Sequence, residues 1–170
     1  HVDNIPRGKD PRRSPGLNYR MSELTAAVGI AQLNKIDYIL SKSKENKYKL
    51  KDSIRDLGKI SFRKFSDEEG AQGDTMIFSL ESSDQALDFE KTLNDNGFGT
   101  KILPEAIDWH YGGSWSHIFD RYDQYGNIVL EKRYKKTGDL LRRSICLNIP
   151  ILIDENTLNK LSSIIINYFS

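Results

Sequence analysis

Apolar residues in the first twenty positions follow no period. Pro6, Gly8, Pro11, Pro15 and Gly16 interrupt them, and proline removes backbone donors while glycine costs entropy in any regular element. Residues 1–20 therefore predict an extended arm or loop. From Met21 the pattern changes to one long helical run through residue 57. Leu24, Ala27, Val28 and Ala31 fall at i, i+3, i+4 and i+7, with Ser22 placed as N-cap and Glu23 in the first turn, where the helix dipole favours a carboxylate. Ala26, Gly29 and Ile30 widen this surface and keep it thin, which predicts close packing at a domain or subunit contact. The run continues as a lysine-rich stretch over 41–49, read as a solvated face. It recovers at Leu50, Ile54 and Leu57, and Gly58 supplies a stop.

Beyond Gly58, strand and helix patterns alternate. Residues 59–65, 75–81, 100–103 and 143–149 read as strands. Ser82 and Gln85 have the spacing of a capping box and open a helix through Ala86, Phe89 and Leu93 that ends near Gly97. Asp154 caps a final helix with Leu158, Leu161, Ile165 and Tyr168 on one face. The sum is an α/β (α+β) class chain: a basic arm (1–20), a long linking helix (21–57) and a small α/β domain (58–170), with strands on one side and helices on the other.

Composition narrows the function classes. The chain has 170 residues, with 25 Lys+Arg against 24 Asp+Glu. A formal net charge of +1 lacks the excess of positive charge expected of a protein that holds several nucleic-acid phosphates. No apolar run approaches the roughly 20 residues needed to cross a bilayer, and the single Cys146 has no disulfide partner, so a cytoplasmic setting is expected. His1, His110 and His117 lack metal-ligand spacing with any cysteine, and no metal site is expected. His110 and His117 lie in an aromatic loop, 109–119, whose Gly112 and Gly113 break regular structure. Such loops line ligand pockets or pack over sheet edges. Arg7, Arg12, Arg13 and Arg20, with Asn18 just before a helix N-terminus, supply the donors an anion site needs, or else a solvated arm.

The run Gly16-Leu17-Asn18-Tyr19-Arg20-Met21-Ser22-Glu23, continuing through Ala26-Ala27-Val28-Gly29 to Gln32-Leu33, closely resembles the signature G-x-N-Y-R-M-x-E-x-x-A-A-x-G-x-x-Q-L of the DegT/DnrJ/EryC1/StrS family of sugar aminotransferases. Weaker resemblance reaches the C-terminus. Residues 97–110 are similar to the family's strand and loop leading to a P-x-H element, and residues 144–150 with Asp154 are similar to its last strand and closing helix. The likeness covers nearly all of this chain but only the C-terminal part of the family's usual length. The start at His1 is read in the same way, as the middle of something longer.

The resemblance implies fold type I, pyridoxal phosphate as cofactor, and a homodimer that moves the amino group of glutamate to a keto sugar. It implies that Asn18 reaches the cofactor phosphate of the neighbouring subunit, that Tyr19, Arg20 and Arg7 face the sugar, and that His110 matches a pocket histidine. The lysine that joins the cofactor and the acid that pairs with its ring nitrogen belong to the large domain, upstream of this segment. No catalytic residue is therefore expected here, and the isolated chain is expected to be inactive. Ser61-Phe62-Arg63-Lys64 resembles the family's lysine motif but is one residue short, so Lys64 reads as a strand-end surface lysine. Residues 6–10 and 109–117 are similar to a branch that makes 8-amino-3,8-dideoxy-D-manno-octulosonate, an acidic sugar of lipopolysaccharide. The competing expectations are the family's dehydratase branch, in which histidine replaces the lysine, and a non-catalytic module that binds an anion or dimerises.

Overall fold

The computed structural model describes residues 21–102, 110–120 and 129–170. They run α1 (Glu23–Leu33), α2 (Ile36–Ile54), β1 (Ser61–Phe62), β2 (Thr75–Ser79), α3 (Ser83–Asp95), β3 (Thr100–Lys101), a 3-10 turn (Gly112–Ser114), α4 (Ser116–Phe119), α5 (Leu130–Arg133), α6 (Lys135–Arg142), β4 (Ser144–Asn148) and α7 (Glu155–Phe169). The strands form one antiparallel sheet in the order β1-β2-β4-β3. Because β2 and β3 both run antiparallel to β4, they are parallel to each other. Helix α3 is the crossover between them, and the split β-α-β unit takes β4 into its middle.

Strand alternation decides which face is covered. In β2, Met76 and Phe78 are buried while Thr75, Ile77 and Ser79 are half-buried; in β4, Ile145 and Leu147 are buried. The register sets Met76 opposite Leu147 and Phe78 opposite Ile145, so the apolar residues of both strands share one face. Helices α2, α3 and α7 pack there in one cluster, through Leu50 and Ile54, Ala86, Phe89 and Leu93, and Leu158, Leu161, Ile165 and Phe169. Phe89 is central: its ring centroid lies 6.2 Å from Phe78, 4.6 Å from Tyr168 and 5.1 Å from Phe169. The layered α/β architecture expected from the sequence is thus present, with helices on the apolar face.

Polar bonds tie the layers. Asn46 Nδ2 of α2 donates to the carbonyls of Pro150 (3.3 Å) and Ile151 (3.1 Å), and the Ser53 and Ser162 hydroxyls lie 2.8 Å apart across α2 and α7. The expected caps are in place. Ser82 Oγ accepts from Gln85 N (3.2 Å), while Gln85 Oε1 reaches one residue further back, to the N–H of Glu81 (3.2 Å). Asp154 accepts from the Thr157 N–H (2.8 Å) and hydroxyl (2.7 Å), and these bonds hold its carboxyl below the ordinary range.

Strand β3 is two residues long instead of four, the expected loop 109–119 holds a 3-10 turn and α4, and three larger features also differ from the sequence pattern. The single helix expected over 21–57 is two. At Asn34 and Lys35 the N–H of Lys35 bonds Gln32 O in a tighter turn, and asparagine competes with helix continuation through its own short amide. Strand β1 is two residues long instead of seven, extended only by the Arg63 N–H to Ile77 O (3.0 Å). The third is a pair of helices, α5 and α6, that the sequence pattern did not indicate. Gly138 sits inside α6 because a Cβ there would stand 2.6 Å from the Tyr111 hydroxyl, which is buried and donates to Tyr134 O (3.2 Å).

Two outcomes test this core. Phe89→Ala removes the ring that joins sheet, α3 and α7, and is expected to cost about 3 to 5 kcal/mol in denaturant unfolding. Tyr168 is the second probe. Desolvation and its hydrogen bond to Asp88 Oδ2 (2.8 Å) push its pKa up to about 12. Its protonated form is favoured in the folded state, so this contribution is complete below the unfolded value near 10 and is lost as pH rises through the folded value. Ultraviolet titration should show one late tyrosine that Tyr168→Phe abolishes.

Candidate functional site

Helix α1 starts where the arm ends. Ser22 Oγ accepts from the Thr25 N–H (3.2 Å) and fixes the first turn, as its sequence position suggests. None of the residues of α1 is buried: Leu24 is 78 % exposed, Leu33 65 % and Ile30 63 %, and space around Gly29 is open. The apolar surface expected at a contact is therefore presented outward from the rest of the described chain.

Of the residues assigned to a site from the sequence, Arg7, Asn18, Tyr19 and Arg20 lie outside the described residues. His110 is described and exposed. It precedes buried Tyr111, whose bond to Tyr134 and packing beside Gly113 and Gly138 fix the 110–114 segment against α5 and α6. The fold thus gives His110 an anchored neighbour at the rim of a loop. Lys64 is exposed two residues beyond β1, the position expected of a surface lysine. Among the described residues no group of three or more His, Cys, Asp or Glu is placed to hold a metal ion, and no helix is long and apolar enough to cross a membrane.

Two of the clefts among the described residues have room for a small ligand. One, of about 490 Å³, lies between the β3 edge and the start of α7, lined by Phe98, Leu147, Pro150, Leu152 and Ile153, with the Asp154 carboxylate already engaged in its cap. It is apolar and offers little chemistry. The second, of about 280 Å³, lies between α2 and the loop entering β2, and is lined by Lys47, Arg63, Phe65, Gln72, Asp74 and Thr75.

The second cleft corrects the reading of 41–49 as a solvated face. Lys47 is only 8 % exposed, and its ammonium stands 4.6 Å from the centre of the Phe65 ring. The Arg63 guanidinium stands 4.9 Å from the same centre. Burial lowers the Lys47 pKa from the ordinary lysine value; the charges of Lys51 and Arg63 lower it further, against Glu68 and Asp74. Lys51 has its own partner in Glu68 at 2.5 Å. Sequence reasoning missed this cluster because Lys47 sits among four other lysines within 42–51, and only its helical offset from Leu50 and Ile54, three and seven residues on, places it beside the core. On the opposite face of the sheet from the core, half-buried Cys146 pairs in register with Ile77 and Lys101, and burial pushes its thiol pKa up, away from the reactive thiolate.

Comparison with known proteins agrees with the fold just described. The sequence profile of the DegT/DnrJ/EryC1/StrS aminotransferase family matches residues 5–165. Among solved structures, PseC of Helicobacter pylori, an aminotransferase involved in the biosynthesis of pseudoaminic acid, is similar over 92 % of this chain and 39 % of its own, with a TM-score of 0.66 and 14 % identity. The sugar aminotransferase CalS13 of Micromonospora echinospora is similar over 89 % of this chain and 37 % of its own (TM-score 0.61, 13 % identity). The GDP-4-keto-6-deoxy-D-mannose-3-dehydratase of E. coli, solved with bound hydrated pyridoxal phosphate, is similar over 89 % and 37 % (TM-score 0.63, 16 % identity). The chain therefore spans under half the length of the solved structures it matches, and at these identities the likeness shows the shared fold. With the profile matching across nearly its whole length, the chain belongs to the DegT/DnrJ/EryC1/StrS aminotransferase family.

Proposed function

We propose that this chain is the C-terminal, small-domain portion of a pyridoxal-phosphate-dependent sugar aminotransferase that transfers the amino group of glutamate to a keto sugar. The observation that carries the reading is the family match over residues 5–165, which takes in the Asn18-Tyr19-Arg20-Met21 segment together with the sheet and closing helix. Residues 1–20 then act as an arm, α1 and α2 as the link between domains, and residues 58–170 as the small domain. The outward apolar surface of α1 supports this division, because a helix with no buried residue of its own is stable in a folded protein chiefly when another surface covers it.

The residue assigned to the cofactor, Asn18, lies outside the described residues. Lys64 is exposed two residues beyond β1, and in this reading the lysine that joins the cofactor belongs to the large domain. The cofactor, when bound, supplies the electron sink for amino transfer. In the proposed assembly this chain positions groups around that chemistry. The Asn18 amide donates to a phosphate oxygen across a homodimer interface, the Arg7 and Arg20 guanidinium groups hold an anionic sugar, Tyr19 faces the same sugar, and His110 stands at the rim of its pocket. The basic arm and the 109–117 loop favour an acidic sugar, 8-amino-3,8-dideoxy-D-manno-octulosonate, in lipopolysaccharide or other cell-surface glycan synthesis in the cytoplasm. The dehydratase branch is the second reading, supported by the fold shared with the E. coli dehydratase; the residue at the lysine position of the large domain distinguishes the two.

The division of labour predicts that the purified 170-residue chain, mixed with pyridoxal phosphate and glutamate, shows no visible absorption band of a lysine-bound cofactor and no turnover of a keto sugar. A band that borohydride fixes to the chain, with amination of the sugar, would overturn it. A stable dimer on gel filtration that binds sugar phosphates without the cofactor would instead favour the non-catalytic module.

A further inference from the structure

We propose that the cleft between α2 and the 66–75 loop is a binding site for a small oxyanion, phosphate or carboxylate, with Lys47 and Arg63 as its two cationic contacts and Phe65 as its floor. Three independent observations lead there. Lys47 is more than nine-tenths buried, yet among the described residues its ammonium makes no hydrogen bond or ion pair: it approaches the Phe65 ring at 4.6 Å and feels the charges of Glu68 and Asp74 without pairing with either. A buried charge without a partner is costly, so a structure that keeps one aimed into a cleft is built for a counter-charge that comes from elsewhere.

Arg63, which is exposed, supplies a second cation at the same ring. Its guanidinium lies 4.9 Å from the same ring centre, which keeps the two cations within about 9.5 Å of each other, and its fork is likewise unbonded among the described residues. The neighbouring cations are already committed, Lys51 to Glu68 and Lys44 to the carbonyl of Glu69. The two free positive groups face one free carboxylate, Asp74, so the cleft retains an excess of positive charge that a monoanion neutralises. Asp74, Gln72 and Thr75 on the same wall accept or donate hydrogen bonds, which suits an oxyanion that also carries a hydroxyl.

The wall is held in place by a backbone contact that only glycine allows. Gly73 has φ +89°, and a Cβ there would meet Lys44 N at 2.7 Å and Ser43 C at 2.9 Å. The loop is thereby seated directly on α2, one turn from Lys47, and Gln72 and Asp74 are carried to the cleft on either side of the contact.

Titration of the 170-residue chain with inorganic phosphate and with glycolate, at ionic strength held constant with chloride and followed by amide chemical shifts, tests the site. Saturable shifts of Arg63, Gln72, Gly73 and Asp74 are expected in the millimolar range. Phosphate alone or glycolate alone saturating identifies which oxyanion the cleft takes; either result supports the proposal. Lys47→Met keeps the aliphatic stem, and is expected to weaken binding about tenfold or more while raising the melting temperature of the unliganded chain, since it removes an unpaired buried charge. If that variant does not fold, Arg63→Gln, at an exposed position, is expected to weaken binding about threefold or more. Lys49→Met, an exposed lysine on the same helix, is expected to change nothing. The proposal is overturned if neither anion saturates by about 50 mM, if chloride alone reproduces the shifts, or if Lys49→Met weakens binding as much as the variants in the cleft.

Discussion

The pairing of β2 with β4 is the constraint on which the remaining structure depends. Five residues at 75–79 meet five at 144–148 in antiparallel register, and that single alignment decides which side chains are inside. A slip of one residue would turn Met76 and Phe78 away from Ile145 and Leu147 and expose the whole apolar set. With the register as it is, α3 must cross over the covered face to deliver β3 to the far side of β4, and α7 must return over the same face. Phe89 fills the space where these elements converge. The same alignment leaves Thr75 and Ile77 on the uncovered face, beside Arg63 at the end of β1, and so creates one wall of the cationic cleft.

Much of this was legible in the sequence, for identifiable reasons. Ser82 with Gln85, and Asp154 with Thr157, are local signals whose partners lie three residues away, so no distant contact can alter them. The alternation in 75–79 and 144–148 survives because half of each strand faces one core. What failed depends on tertiary context. The break at Asn34 and Lys35 falls in a stretch that is apolar on both sides and carries neither proline nor glycine. Helices α5 and α6 are short and rich in lysine and arginine, and their order follows from a packed knot around Tyr111, Tyr134 and Gly138 that no period reveals.

The candidate site divides along the same line. Asn18, Tyr19 and Arg20 were singled out by a motif with fixed spacing, which is dense information; Arg7 and His110 came from looser resemblances, and His110 stands on a loop whose anchor, Tyr111, the sequence did not distinguish from other aromatics. Lys47 was hidden for a different reason. A lysine-rich helix face normally projects into water, and the burial of one member is decided by Phe65 and Gly73, residues about twenty positions further along the chain. Charge on α2 is consequently of two kinds: solvated pairs such as Lys42 and Lys49 with Glu45, which contribute little to stability, and one buried cation, Lys47, whose energetic sense requires a counter-charge.

The central claim is that the sheet and its three covering helices form one cooperative unit, while α1 is shaped for a surface beyond it. Native-state hydrogen exchange on the 170-residue chain measures this directly, because it resolves protection element by element. The account predicts that Phe78, Ile145 and Ile165 exchange only through global unfolding and that the amides of residues 27–33 exchange with little protection. Protection of α1 equal to that of Phe78 would contradict it.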